Sequence, residues 1–117
     1  MDKIDSILTY VKKLHGISES DTSFDPDMII HINSALMAVN QLGIGPVTGF
    51  YIEDNLAVWG DFIPDKVIAE AIKSLVYIKV RLRFDPPASQ TVVDALKESA
   101  EEDTWRIKEW VENNSYV

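Results

Sequence analysis

Two side chains in this sequence have a spacing that could support metal binding. Asp27 and His31 stand four residues apart, which places them on one face if the segment is helical. A metal site needs three or four ligands, and no further side chain has a recognisable ligand spacing from this pair. The chain has no Cys, which excludes thiolate ligands, a Cys nucleophile and disulfides. We therefore expect no metal site and no cofactor.

Two other patterns could be mistaken for catalytic or phosphate-binding motifs. Gly43-Ile44-Gly45 follows a predicted helix, whereas the dinucleotide-binding motif follows a strand and has a third glycine. We interpret it as a helix cap and turn. The carboxylates near the C-terminus could be paired for acid–base chemistry, but charges on an amphipathic helix usually form a solvated face. The sequence thus predicts that the protein is not an enzyme.

The charge balance limits the choice of partners. The chain of 117 residues has a net charge of −8, and its 46% hydrophobic residues suffice for one core. Tight nucleic-acid binding requires Lys and Arg to neutralise phosphates, so this balance argues against it. An acidic surface could still let DNA pass without sticking. We expect no membrane interaction, because no segment could span a bilayer and the N-terminus lacks a signal-peptide pattern.

Four amphipathic segments predict an all-α fold in one domain over residues 1–117. Apolar residues recur at three- and four-residue steps in each segment. The third segment is apolar over more than half of its circumference, which is typical of a central helix. Asp25 should cap the second helix, and Asp85-Pro86-Pro87 should end the third. The predicted helices are residues 2–14, 26–42, 64–84 and 90–113.

The segment between the second and third helices has a different pattern. Phe50-Tyr51-Ile52 and Leu56-Ala57-Val58-Trp59 flank Glu53-Asp54-Asn55, which predicts a β-hairpin over residues 50–59 or a long structured loop. An isolated hairpin is only marginally stable, so it must pack on the helices or on a neighbouring subunit. The predicted fold is a four-helix domain with a small β-hairpin insertion between helices two and three.

A collinear set of motifs resembles a known family. The set comprises Met1-Asp2-Lys3-Ile4-Asp5-Ser6-Ile7-Leu8, Phe24-Asp25-Pro26-Asp27-Met28-Ile29-Ile30-His31-Ile32-Asn33, Asn40-Gln41-Leu42-Gly43-Ile44-Gly45-Pro46, Ile52-Glu53-Asp54, Trp59-Gly60-Asp61-Phe62, Tyr77-Ile78-Lys79-Val80-Arg81-Leu82-Arg83-Phe84-Asp85-Pro86-Pro87 and Trp105-Arg106-Ile107. In order and spacing it resembles the head–tail connector proteins of siphophages and their prophages in low-GC Gram-positive bacteria. The resemblance covers nearly the whole chain, except for the ending after Trp110.

The resemblance implies a structural virion protein at the head–tail interface, made in the host cytoplasm. It implies a ring of subunits, dodecameric in the virion, that lies under the portal protein and extends the DNA channel. The other face of the ring would meet a stopper or tail-completion protein, and DNA would pass through without specific binding. The family has no catalytic residues to transfer to this chain.

Trp105 is the most informative side chain for such an assembly. Projected at 100° per residue, it falls opposite the apolar face of the fourth helix, among carboxylates. Trp is enriched at binding hot spots, so Trp105 could anchor this chain on the portal or on an adjacent subunit. Alternatively, a bend in the helix or the hairpin could cover it as local core.

Three cations near the end of the third helix, Lys79, Arg81 and Arg83, form a second candidate surface. They could contact acidic patches of a neighbouring subunit, such as the Glu-rich fourth helix, because ring contacts join unlike surfaces. The alternative is favourable placement at a helix C-terminus together with pairing inside the chain.

The predicted hairpin offers a third candidate surface. Its apolar residues could form an edge that joins adjacent subunits, or they could pack in the core, and the two are compatible. Glu53 and Asp54 at its tip could face the channel, or form a solvated turn. The residues of the edge are Phe50, Tyr51, Ile52, Val58 and Trp59.

A second class of function remains open on composition alone. A small acidic regulatory protein that binds a single protein partner would have the same charge and size. The collinear resemblance argues against it. A DNA-binding regulator would need a basic recognition helix, and the sequence contains none.

Overall fold

Four α-helices form the structure, a computed structural model that describes residues 6–114. They are α1 (Ile7–Leu14), α2 (Asp25–Gln41), α3 (Lys66–Phe84) and α4 (Gln90–Asn114), with one 3₁₀ turn at Trp59–Asp61. The all-α, four-helix prediction is therefore confirmed for this part of the chain. The predicted first helix began at residue 2, and residues 2–5 lie outside the described residues.

Side chains cap three of the helices. Ser6 accepts a hydrogen bond from the Thr9 amide at the start of α1. The Asp65 carboxylate accepts one from the Val67 amide at the start of α3, with a distance of 2.8 Å. Ser89 does the same for α4. These oxygens satisfy amides that the first turn of a helix leaves without partners.

The start of α2 differs from the prediction, because Asp25 does not cap it. Phe24 occupies the cap position without a side-chain hydrogen bond. The Asp25 carboxylate lies 2.9 Å from the ammonium group of Lys12, which is only 3% exposed. Lys12 also donates to the backbone carbonyl of Glu19. The ion pair therefore fixes α1 against the beginning of α2.

The core surrounds α3, which packs against both α2 and α4, while α1 packs against α2. Such a central position explains why α3 is apolar over much of its circumference. The buried apolar residues of α3 are Ile68, Ile72, Leu75, Val76, Ile78 and Val80. The other helices each contribute a narrower stripe, and in α4 of the described chain the only fully buried apolar residue is Ile107, beside the partly buried Ala100, Trp110 and Val111.

The predicted β-hairpin is wrong: residues 50–58 form a loop, and the described chain contains no strand. A single isolated bridge between Ser6 and Val58 is the β-type pairing that the structure shows there. The side-chain amide of Asn33 replaces a partner strand. It donates to the Ile52 carbonyl at 3.0 Å and accepts from the Ile52 amide at 2.8 Å.

Two further amides of the loop also have local partners. The Asp54 carboxylate accepts a hydrogen bond from the Leu56 amide, and the Asp61 carboxylate accepts one from the Val58 amide. A backbone whose donors are satisfied in this way has no need of cross-strand pairing. The loop is held in place by Ile52 and Trp59, which are 2% and 3% exposed.

Replacement of Asn33 tests this account of the loop. Asn33→Ala should lower the free energy of unfolding by about 1–3 kcal/mol, because it leaves the buried amide and carbonyl of Ile52 without partners. Chemical denaturation would measure the change. Asn55→Ala, in an exposed part of the same loop, is the matched control and should change stability by less than about 0.5 kcal/mol. Equal effects of the two substitutions would contradict the role of Asn33.

Candidate interaction surface

Most of α4 faces outward, because only two of its residues are buried. Ile107 is fully buried and Asp103 is 6% exposed. The Asp103 carboxylate accepts a 2.6 Å hydrogen bond from the Ser74 hydroxyl of α3 and lies 3.4 Å from the guanidinium of Arg106. This polar contact and the Ile107 side chain fix the rotation of α4 about its axis.

That rotation leaves Trp105 at the surface. Trp105 follows Asp103 by two residues, or about 200° around the helix, and is 63% exposed. Neither a helix bend nor a hairpin covers it, so it does not act as local core. Carboxylates three, four or seven residues away surround the ring on the same helix face. These are Glu98, Glu101, Glu102, Glu109 and Glu112, all exposed.

The structure separates the three cations of α3. Arg83 donates a 3.0 Å hydrogen bond to the Ser34 hydroxyl of α2, and Lys79 lines the same small pocket between α2 and α3. Arg81 points elsewhere and contacts the Tyr77 hydroxyl at 3.5 Å. Lys79 and Arg83 therefore form one basic patch, together with His31, and Arg81 does not belong to it.

The predicted pairing of these cations within the chain does not appear in the described residues. Among residues 6–114, the ion pairs join Lys12 to Asp25, Lys73 to Glu70 and Arg106 to Asp103. No described carboxylate lies within 4.0 Å of the side-chain nitrogens of Lys79, Arg81 or Arg83. Among residues 6–114, the basic patch is therefore not neutralised by a carboxylate within ion-pair distance.

The aromatic residues of the loop also separate into two groups. Trp59 is buried and packs edge-on against Tyr10, with ring centroids 5.6 Å apart. Phe50 is half-buried against Phe62 at 5.0 Å. Tyr51, by contrast, is 67% exposed. Among the candidate interface residues Phe50, Tyr51 and Trp59, Tyr51 is therefore the most exposed.

Tyr51 and Phe50 line a groove that sequence reasoning missed. The groove has a volume of about 470 Å³ and lies along the outer side of α2. Ile30 and Met37, seven residues apart on α2, line it as well and are 64% and 58% exposed. Both side chains are apolar but lie outside the buried stripe of α2. Apolar residues outside that stripe were the feature of the sequence that could have indicated the groove.

Glu53 and Asp54 are exposed at the turn of the loop. The Asp54 carboxylate accepts a 2.9 Å hydrogen bond from the Leu56 amide and so stabilises the turn. This role keeps the turn in one conformation and leaves the negative charge in solvent.

The Asp27–His31 pair and the Gly43-Ile44-Gly45 motif, both considered in the sequence, have the following surroundings in the structure. Within residues 6–114, no group of three His, Cys, Asp or Glu side chains could hold a metal ion. The His31 ring packs near Phe84, with centroids 6.2 Å apart. Gly43 forms a turn with φ of 109°, where an added Cβ would lie 2.8 Å from Val111. No helix in the described part of the chain is long and apolar enough to cross a membrane.

His15 sits where α1 meets α3, packed against Tyr77 and Phe84. Burial lowers the pKa of its imidazole, and the nearby Arg81 acts in the same direction, while a hydrogen bond to the Val11 carbonyl and the charge of Asp85 oppose it. Its Nε2 atom is buried without a hydrogen-bond partner in the described structure. Protonation would place an unsatisfied donor there, so the neutral ring is favoured.

Substitution of the two Trp residues should separate surface from core. Trp105→Ala should leave the monomer folded, with a change in stability below about 0.5 kcal/mol, because the ring is largely exposed. Trp59→Ala should lower stability by about 3–5 kcal/mol, because it removes a buried ring. Circular dichroism during thermal unfolding measures both. A monomer that unfolds upon Trp105→Ala would show that the ring belongs to the core.

The lowered pKa of His15 should make the stability of the protein depend on pH. Since the folded protein binds the His15 proton less readily than the unfolded chain, stability is greatest above the unfolded pKa of about 6.5 and falls as the pH drops below it. His15→Phe should flatten the stability profile between about pH 7 and pH 5. Leu14→Phe, at the exposed neighbouring position, introduces the same side chain but keeps His15, and should retain the wild-type slope. An unchanged slope in His15→Phe would contradict this assignment.

Comparison with known proteins supports the resemblance seen in the sequence. A family model described as phage connector protein matches residues 7–114, which include all four helices. A search of curated proteins and a search of solved structures returned no match. The match covers far more than half of the chain. The chain is therefore a member of the phage connector protein family, a structural component of bacteriophages.

Proposed function

We propose that this protein is a head–tail connector subunit that assembles into a ring under the portal vertex. The family match over residues 7–114 carries the proposal. In the virion, the ring would extend the DNA channel from the portal and offer its far face to a stopper or tail-completion protein. Twelve copies per ring is the number that the resemblance implies.

The exposed surfaces of the monomer support an assembly role. Trp105 and Tyr51 are large aromatic side chains that remain mostly uncovered, at 63% and 67% exposure. Isolated exposed apolar residues are common, but Trp and Tyr in this state are typical of binding anchors. Burial of such rings against other virion proteins would supply apolar contact area that the single chain lacks.

Weak contacts between free subunits suit a protein that should assemble only at the portal vertex. A ring contact between two free subunits can be weak, while a subunit on the portal touches the portal and two neighbours at once. Because these contacts act together, the closed ring is far more stable than any pair of subunits. Monomers would therefore remain unassembled in the host cytoplasm until the portal vertex is present.

The charge of the chain suits a conduit for DNA. A net charge of −8 repels phosphates, so DNA can pass without being gripped. Glu53 and Asp54 are exposed at a turn and are our candidates for channel-facing residues. Their carboxylates would act by repulsion and would make no specific contact with a base.

Deletion of the gene from its phage or prophage tests the proposal. We expect heads that package DNA but lose it, together with free tails, because the joint between head and tail is missing. Electron microscopy and nuclease sensitivity of the packaged DNA measure these defects. Wild-type protein supplied from a plasmid should restore infectious virions.

A matched pair of variants sharpens this experiment. Trp105→Ala should fail to restore infectivity, whereas Val47→Ala, at a fully exposed loop position, should restore it. Sealed and tailed virions from the deletion strain alone would contradict the connector function. In that case, capture of one host or phage protein by this chain would favour the regulatory alternative.

A further inference from the structure

The groove on α2 has the properties of a receptor for an aromatic side chain. It is open along one side, has a volume of about 470 Å³, and is walled by Ile30 and Met37 from α2 and by Phe50 and Tyr51 from the loop. The hydrogen bonds between Asn33 and Ile52 hold the loop at a fixed distance from the helix. The groove is therefore formed before any partner arrives, which lowers the entropic cost of binding.

The basic patch adjoins this groove. Ser34 lines both the groove and the small pocket that contains Lys79, Arg83 and His31. No described carboxylate pairs with Lys79 or Arg83 within the chain. A ligand seated in the groove would thus have cations on one flank, and an acidic ligand would gain from them.

The outer face of α4 has the opposite properties. Trp105 projects from a helix that carries seven carboxylates and only three cations. Glu101 and Glu109 lie one turn before and one turn after Trp105, so the ring has a negative charge on each side along the helix axis. An apolar anchor with acidic flanks matches an apolar groove with a basic flank.

We infer that Trp105 of one copy binds in the α2 groove of the next copy, with the α4 carboxylates against Lys79 and Arg83. This inference rests on the proposed function and names the contact between neighbouring subunits. Both halves of the contact are exposed on the same chain, and their charges are complementary. A second copy of this chain therefore has the surface that the groove and its basic flank would bind.

The geometry of such a contact favours a ring over a closed dimer. The anchor lies on α4 and the groove lies on α2 with its loop, so each subunit contributes a different surface to each of its two contacts. Contacts between unlike surfaces repeat head to tail and either close into a ring or extend into a filament. Binding to the portal would favour the closed ring, because the portal's rotational symmetry would fix the number and the angle of the bound subunits.

Crosslinking can test the contact directly, because the chain has no Cys. A Met37→Cys variant places a thiol in the groove, and a Glu109→Cys variant places one beside the anchor. Both positions are exposed, so neither substitution should affect folding. The two variants carry tags of different size, are mixed, and are treated with a short bismaleimide, both in solution and on heads that contain the portal.

On heads that contain the portal, the expected product is a mixed dimer that joins position 37 of one copy to position 109 of the other, in excess over both homodimers; in solution, where the contact is weak, the yield of the same product should be lower. A variant with both substitutions should give a ladder of larger oligomers, because each copy then reacts at two sides. Trp105→Ala in the Glu109→Cys chain should reduce the mixed product by about tenfold or more, the loss typical of a hot-spot residue. Leu56→Cys, in an exposed part of the loop, is the matched control and should give little product.

Failure of the contact can be distinguished from failure of the connector function. If Met37→Cys and Glu109→Cys chains enter infectious particles but give no mixed product, the contact is wrong and the connector function stands. Predominant homodimers would also overturn it, because they would indicate that like surfaces meet. If phage without the gene forms normal virions, the connector function itself is wrong.

Discussion

The enclosure of α3 is the constraint on which the rest of this structure depends. A chain of 117 residues has apolar material for one core, and the core forms where α2 and α4 both pack against α3. Each flanking helix can turn only one face toward that core. The outer faces of α2 and α4 are therefore not needed for the core. Both nevertheless carry large exposed apolar side chains, which are Ile30 and Met37 on α2 and Trp105 on α4. These two faces form the contact that we propose between neighbouring subunits.

Three polar contacts, each with one buried and one partly buried partner, turn this arrangement into a defined shape. Lys12 and Asp25 join α1 to α2, Asn33 holds the backbone at Ile52, and Ser74 binds Asp103 between α3 and α4. Loss of either partner in such a pair leaves a polar group without a hydrogen bond in an apolar environment, which is costly. Each contact therefore selects one register of its elements. In the ring that we propose, this matters because every copy has to present the same surface at the same angle.

The sequence predicted the helices well because stripes at three- and four-residue steps report burial on one face, and because the two prolines after Asp85 end α3. The projection of α4 also placed Trp105 outside, and the structure shows it exposed. The hairpin was wrong, because a pattern of apolar residues cannot reveal that Asn33, nineteen residues before Ile52, satisfies that backbone. Asp25 was assigned as a cap for a similar reason: its partner Lys12 is distant in the chain. The groove was missed because it exists only where the loop lies over α2.

Family membership gives the class of protein, a structural component of bacteriophages, and the exposed surfaces suggest how this chain would take part in the ring that we propose. The most direct measurement is a cryo-electron microscopy reconstruction of the head–tail junction of virions that contain this protein. Our account predicts a ring of this chain under the portal, with Trp105 covered by another protein chain. A junction from which this chain is absent, or a ring in which Trp105 remains in solvent, would contradict it.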